Sequence, residues 1–197
     1  MRHIPLVSLI VFIIFLSACG EDLLPTSSGN VDTMITEEDA LAQNYNHRTP
    51  GYDIQVAIRD DVDGDINNIL ELLDVRAEVF LDCQFMMGSE IGSDDFKIPS
   101  GNTVFPLSML RVYVVPFTFE CEAVDKGVCS GIYYPSSDLI IIAKESLSPC
   151  GILRFWKHEL GHRYGMASDH NNQDEFEPCI DPPSCDIIDF PEIFGRE

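Results

Sequence analysis

The stretch SPCGILRFWKHELGHRYG, residues 148–165 of this 197-residue chain, predicts an α-helix with two different faces. Ser148 is the predicted N-cap and Gly165 the predicted C-terminal glycine. At 3.6 residues per turn, His158 and His162 lie one turn apart on the same face. The opposite face is apolar and carries Leu153, Trp156 and Leu160. We therefore expect this helix to bury one side and to direct two imidazoles into a cleft.

The two helical histidines predict a metal site. Neutral imidazoles bind zinc while leaving coordination positions open, and zinc lowers the pKa of a bound water to about 7. Glu159, directly after His158, is a carboxylate that can accept the proton of that water and pass it to a leaving amine. Four histidines follow residue 18, and three of them lie between positions 158 and 170. This clustering favours metal binding over two unrelated surface histidines.

A site with two histidines needs a third protein ligand, and a helix that ends at glycine lets the chain turn back to supply it. His170 and Asp169 are the two nearest candidates. Imidazole suits zinc better than carboxylate does, which favours His170, with Asp169 as the alternative. Glu175 and Glu177 are more distant acidic candidates.

The stretch HELGHRYG resembles the zincin metallopeptidases, specifically the metzincin group with its HExxHxxGxxH signature and, within it, matrixin-like members. The resemblance implies zinc bound by His158, His162 and His170, with Glu159 as the general base and Gly165 at the turn before the third ligand. It also implies a zincin-like fold, in which an edge strand of the sheet pairs with an extended peptide substrate. The LIIIAKE stretch is the candidate for the strand near that edge.

The chain departs from the metzincin pattern in two places. The family spacing puts the third ligand at position 168, which is a serine here, so two residues are inserted before His170. No methionine follows Met166 to form the methionine turn of that group. Ile187 or Ile188 is expected to provide the apolar floor below the metal instead.

The order of elements predicts an α+β domain. A strand in YDIQVAIRD precedes a helix in INNILELLDVRAEVFLDC, whose apolar residues recur at helical spacing: Ile69, Leu70, Leu73, Ala77 and Phe80. A strand in MLRVYVVPFTF and a hairpin in GIYYPSSDLIIIAKE precede the histidine helix. We expect a twisted mixed sheet packed on a long helix and on the active-site helix.

Residues 1–18 are predicted to be a secretory signal, because a basic start leads into an apolar run that is too short for a permanent membrane span. The end of that run, Leu-Ser-Ala-Cys at residues 16–19, resembles the lipobox of bacterial lipoproteins, in which the cysteine carries lipid. This favours lipidation of Cys19 over an ordinary signal peptide. Residues 19–50 are predicted to be a flexible tether and residues 51–197 the zinc-peptidase-like domain. The expected location is a bacterial membrane surface, in the periplasm or on the cell exterior.

Six cysteines remain after Cys19, and an even number in an exported chain predicts disulfides, with fifteen possible connectivities. Local pairing would join Cys121 to Cys129 and Cys179 to Cys185. Cys83 and Cys150 would then form the remaining pair.

The formal net charge of −21 argues against nucleic-acid binding, because phosphates would be repelled. It is compatible with bound calcium. The stretch DDVDGDIN, residues 60–67, concentrates four aspartates but lacks the EF-hand spacing. A turn followed by a helix with Asp65 as its N-cap is the favoured interpretation.

Two functions from different classes follow from the sequence. The first is a lipid-anchored zinc metalloendopeptidase that hydrolyses peptide bonds of a peptide or protein substrate. The alternative is a non-catalytic surface lipoprotein of the same fold with a binding role. The displaced third ligand and the missing methionine turn motivate this alternative.

Overall fold

A computed structural model describes residues 31–90, 106–121, 127–147 and 154–180. The helices in these ranges are α1 Glu37–Leu41, α2 Ile66–Glu90, α3 Arg154–Arg163 and α4 Glu177–Ile180. The strands are β1 His47–Arg48, β2 Gln55–Ile58, β3 Arg111–Val115, β4 Phe119–Glu120, β5 Val128–Cys129, β6 Gly131–Tyr134 and β7 Leu139–Ala143. Short 3₁₀ turns lie at Leu107–Met109, Lys144–Leu147 and Gln173–Glu175.

Five of these strands form a mixed sheet in the order β1-β2-β3-β7-β6. The three central strands are parallel, and the two outer strands run antiparallel to their neighbours. The α+β class and the mixed sheet are thus confirmed. The predicted hairpin is also present, because β6 and β7 are joined by the turn at residues 135–138. The LIIIA strand is β7 and lies one position inside the edge, which is formed by β6.

Helices α2 and α3 pack on one face of the sheet. All five apolar positions predicted for the long helix are buried, and so are Trp156 and Leu160 of α3. The Trp156 Nε1–H group donates a hydrogen bond to the carbonyl of Leu73 at 3.0 Å, which joins the two helices inside the core. Leu153, the third predicted residue of that face, lies outside the described residues.

The other face of the sheet is covered by the segment before β1 and by the β4–β5 hairpin. In the N-terminal segment, Ile35 is 6% exposed and Ala40 is fully buried. Thr36 caps α1 in a reciprocal capping box with Asp39, and β1 pairs with β2. Residues 31–50 therefore belong to the folded domain, whereas they were expected to be part of a flexible tether.

The acidic stretch before α2 forms a turn and a helix start. The Asp65 carboxylate accepts a hydrogen bond from the Asn67 N–H at 2.9 Å, as an N-cap does. Asp63 forms an ion pair with Lys144, and Asp61 pairs with Arg59 at 2.6 Å. These carboxylates bond to neighbouring protein groups, which supports the N-cap interpretation over a calcium loop.

Two disulfides join described cysteines. The predicted local pair Cys121–Cys129 is present and links the residue directly after β4 to the last residue of β5. The second disulfide joins Cys83 of α2 to Cys179 of α4, across 96 residues. The predicted pairs Cys179–Cys185 and Cys83–Cys150 are therefore wrong, because α4 folds back onto α2. Cys150 and Cys185 lie outside the described residues.

Within the described ranges, no helix combines the length and the apolar character needed to cross a membrane. The two disulfides are typical of proteins that fold outside the reducing cytoplasm.

Candidate metal centre

The helix that carries the histidines ends where the sequence predicts. Gly165 adopts a φ of 115°, a left-handed conformation that favours glycine. The Met166 N–H group donates to the Gly161 carbonyl at 2.8 Å and closes the last turn. From this point the chain reverses and returns along the helix face that carries His158 and His162. The predicted N-cap, Ser148, lies outside the described residues.

The returning chain brings three histidines together. The Nε2 atom of His158 lies 3.1 Å from that of His162 and 3.1 Å from that of His170, and the last two are 3.2 Å apart. A tetrahedral zinc ion, with bonds of about 2.0–2.1 Å to imidazole nitrogen, requires ligand nitrogens roughly 3.3 Å apart. Among the described residues, this trio is the group of potential metal ligands whose donor atoms converge. The three imidazoles therefore fit a zinc ion.

A hydrogen bond on its other ring nitrogen orients His162. Its Nδ1 lies 3.1 Å from the Met166 carbonyl, which can only accept, so Nδ1 carries the proton and Nε2 presents its lone pair. Such a partner is typical of metal-binding histidines. Burial lowers the pKa of His162, which keeps the imidazole in the neutral form that binds metal.

The structure places His170, rather than Asp169, in the trio. The Asp169 carboxylate instead accepts hydrogen bonds from the backbone N–H of Asn171 at 3.2 Å and from its side-chain amide at 3.1 Å. Glu175 and Glu177 are exposed and lie outside the converging group. His170 stands two residues beyond the position that the metzincin spacing gives, and it adopts a left-handed backbone with a φ of 58°.

Asn172 is a residue of this site that the sequence analysis missed. Its Oδ1 accepts a hydrogen bond from the Ala167 N–H at 2.7 Å, and its Nδ2 donates to the Gly165 carbonyl at 3.2 Å. These bonds join the end of the histidine loop to its start. The available signal was an asparagine close after a helix-ending glycine, a residue type common in turns.

Glu159 points from α3 toward the edge strand. Its carboxylate accepts a hydrogen bond from the Tyr133 N–H, and it packs so closely on β6 that a Cβ at Gly131 would lie 3.0 Å from its Oε1. The residue is 5% exposed, and burial raises the pKa of Glu159 to about 8. A cation at the neighbouring histidines would favour the charged carboxylate and oppose this shift.

Apolar side chains support the middle of the histidine helix α3. Met166 and Ile180 are buried, and a Cβ at Gly161 would meet the terminal carbon of each at 3.3 Å. The residues predicted to form the apolar floor, Ile187 and Ile188, lie outside the described ranges. Met166 therefore contributes both a carbonyl that orients His162 and part of the packing below the helix.

A buried ion pair holds the end of α3 against the hairpin of the edge strand. Arg163 donates from Nε to one Asp138 oxygen at 2.7 Å and from Nη2 to the other at 2.8 Å. Its Nη2 also lies 3.3 Å from the Pro106 carbonyl. Asp138 is in the β6–β7 turn and adopts a φ of 48°. This contact fixes the histidine helix α3 relative to β6.

Comparisons of the chain with protein-family models, with curated proteins and with solved structures found no match.

Proposed function

We propose that this chain is a zinc-dependent peptidase of zincin-like fold that acts outside the cytoplasm. The observation that carries the proposal is the convergence of three imidazole nitrogens, from one helix and its returning loop, to within 3.2 Å of one another. A carboxylate of the same helix, Glu159, lies beside the edge of a mixed sheet. The zincin-like assignment is supported by that sheet, whose antiparallel edge strand lies next to the histidine helix.

His158, His162 and His170 would be the protein ligands of the ion, with the remaining coordination position open. The bound ion would supply a Lewis acid and would lower the pKa of a coordinated water to about 7. Glu159 would accept a proton from that water and deliver it to the leaving amine. The hydrogen bond from the Tyr133 N–H stabilises the charged form of Glu159, the form that acts as the base.

Strand β6 is the proposed binding strand for the substrate. It stands at the end of the sheet order, and its residues Gly131 and Tyr133 contact the Glu159 side chain. An extended peptide that paired with this edge would form main-chain hydrogen bonds independent of its side chains. It would also run past the carboxylate that accepts the proton.

Attachment through a lipidated Cys19 is part of the proposal. Cys19 lies outside the described residues, and the disulfides favour a location beyond the cytoplasm. The Cys19→Ala chain is expected to leave the membrane fraction and to appear in the soluble exported fraction. Equal amounts of wild-type and Cys19→Ala protein on membranes would contradict the lipid anchor.

The function is tested with the purified full chain, a library of unmodified peptides and measured zinc content. Cleavage is expected to stop on chelation and to return when zinc is added. Glu159→Gln is expected to retain one zinc ion and to lower kcat by roughly 100- to 10,000-fold, because the proton acceptor is lost. Glu175→Gln is the matched control, since this exposed carboxylate lies outside the group of converging histidines.

Cleavage that survives both chelation and Glu159→Gln would contradict the mechanism. One bound zinc ion without cleavage of any peptide would instead favour the alternative role, a non-catalytic binding protein. The measured zinc content distinguishes both outcomes from the case in which the chain binds no zinc.

A further inference from the structure

The loop that returns the third histidine to the helix has an unfavourable backbone conformation at its functional residue. His170 adopts a φ of 58°, a left-handed conformation that residues with a Cβ rarely take. His170 is also exposed, so packing does not force its position. The hydrogen bonds between Asp169 and Asn171 are local to the tip of the loop. Contacts outside the tip therefore help to keep His170 beside the helix, including the hydrogen bond from its own N–H to the Ala167 carbonyl at 2.9 Å.

Asn172 supplies such contacts. Its amide oxygen accepts from the Ala167 N–H at 2.7 Å, and its amide nitrogen donates to the Gly165 carbonyl at 3.2 Å. Both partners belong to the chain as it leaves α3, whereas Asn172 comes two residues after His170. One half-buried side chain thus closes the loop that contains the ligand.

We propose that Asn172 is a positioning residue for the metal centre and that it sets the affinity for metal by holding His170 in place. The proposal rests on the metal-binding part of the proposed function and is independent of peptide cleavage. The two amide hydrogen bonds of Asn172 go to the backbone of Ala167 and Gly165 and not to the proposed metal ligands. It acts on the ion only through the loop geometry that the two amide hydrogen bonds maintain.

The test compares two neighbouring asparagines in the full chain. Metal-stripped protein is titrated with Co²⁺, whose absorption bands report coordination number, and Zn²⁺ is then added in competition. Asn172→Ala is expected to lower the affinity about 10- to 100-fold, the usual effect of removing a group that orients a ligand. Asn171→Ala, the matched control, removes only the side-chain bond to Asp169 and is expected to keep affinity close to wild type.

A double-mutant cycle separates positioning from general destabilisation. If Asn172 acts through His170, then Asn172→Ala should change the affinity little when His170→Ala is already present. The cobalt spectrum of Asn172→Ala should also move toward that of His170→Ala. Equal losses of affinity in both backgrounds would overturn the proposal, because they would show that the asparagine acts without the third histidine.

Asn172→Asp provides a second variant if Asn172→Ala does not fold. Aspartate keeps an acceptor for the Ala167 N–H but cannot donate to the Gly165 carbonyl. A new negative charge near a cation would by itself raise metal affinity, whereas a displaced His170 lowers it. We expect the affinity to fall.

A rise in the affinity of Asn172→Asp, or wild-type affinity in Asn172→Ala, would overturn the role of Asn172 alone. A wild-type chain that binds no metal at the histidines would overturn both this role and the proposed function. A chain that binds metal with this dependence on Asn172 but cleaves no peptide would overturn only the peptidase assignment.

Discussion

At the residue scale, the position of the Glu159 carboxylate depends on a glycine in the edge strand. Gly131 of β6 is close enough that an added Cβ would meet the Oε1 and Cγ atoms of Glu159 at 3.0 Å, and the Cδ1 of Ile142 at the same distance. The carboxylate thus occupies the space that a larger residue at position 131 would fill.

Gly131→Ala is therefore expected to displace the Glu159 carboxylate and to lower kcat while zinc affinity stays unchanged. The crowding should also lower the free energy of unfolding by roughly 1–3 kcal/mol, the usual effect of overpacking. Peptide cleavage, zinc titration and urea unfolding measure the three quantities. Gly161→Ala is the comparison for the free energy of unfolding alone, because its Cβ would meet the ends of Met166 and Ile180 at 3.3 Å. Full activity in Gly131→Ala would show that the carboxylate position does not matter.

Helix periodicity explains which of these residues the sequence could predict. A spacing of four converts directly into one helix face, so His158, His162 and their neighbour Glu159 could be assigned to a site from sequence alone. The chemistry of zinc favoured His170, which the structure places in the trio. Asn172 and Gly131 could not be predicted, because their partners are set by a loop closure and by a strand from elsewhere in the chain.

At the scale of elements, the Arg163–Asp138 pair joins the histidine helix α3 to the edge hairpin. The Arg163 side chain is 3% exposed and that of Asp138 is 17% exposed, so water screens this pair little. Removing one partner of a buried pair leaves the other charge uncompensated. The orientation of α3 relative to β6 therefore depends on a contact whose loss lowers the free energy of unfolding.

Asp138→Asn is expected to lower the free energy of unfolding by about 3 kcal/mol, because Arg163 would lose its counter-charge. Asn tolerates the left-handed backbone at this turn, so the substitution isolates the charge. Asp53→Asn is a matched control: Asp53 has a φ of 57°, and its pair with Arg48 is solvent-exposed at 3.6 Å. Asp53→Asn should lower the free energy of unfolding by at most about 1 kcal/mol. Equal losses in the two variants, measured by urea unfolding, would show that the buried pair has no special role.

The elements in which apolar residues recur at regular spacing were predicted, and the elements without such a pattern were not. The long helix and the β6–β7 hairpin are confirmed because their apolar patterns match the faces that they bury. The segment at residues 31–50 was interpreted as a tether because its polar composition dominates. Only isolated residues such as Ile35 and Ala40 enter the core there, and isolated buried residues leave no period to detect.

At the scale of the whole molecule, the Cys83–Cys179 disulfide connects the segment that carries His170 to the main core. The loop that carries His170 is continuous with α4, and α4 is bonded to α2 through this bridge. The pairing could not be predicted, because the two cysteines are 96 residues apart and meet only once α4 has packed on α2. Sequence proximity identified the other bridge, Cys121–Cys129, which spans eight residues.

This arrangement predicts that the Cys83–Cys179 disulfide strengthens metal binding. The paired change Cys83→Ser and Cys179→Ser should lower zinc affinity, because α4 would no longer be bonded to α2 and would restrain His170 less. The chain-entropy model gives a loss of unfolding free energy of about 4–5 kcal/mol for a loop of this length. Zinc competition titrations and thermal unfolding of the full chain measure both effects.

The second disulfide provides the control for that prediction. Cys121→Ser with Cys129→Ser removes a bridge of the β4–β5 hairpin, on the face of the sheet opposite α3. It should cost about 2–3 kcal/mol of stability for its shorter loop, with zinc affinity unchanged. If the two double variants bound zinc equally well, zinc affinity would be independent of the Cys83–Cys179 disulfide. The contacts within the loop, with those of Asn172 among them, would then suffice to hold His170.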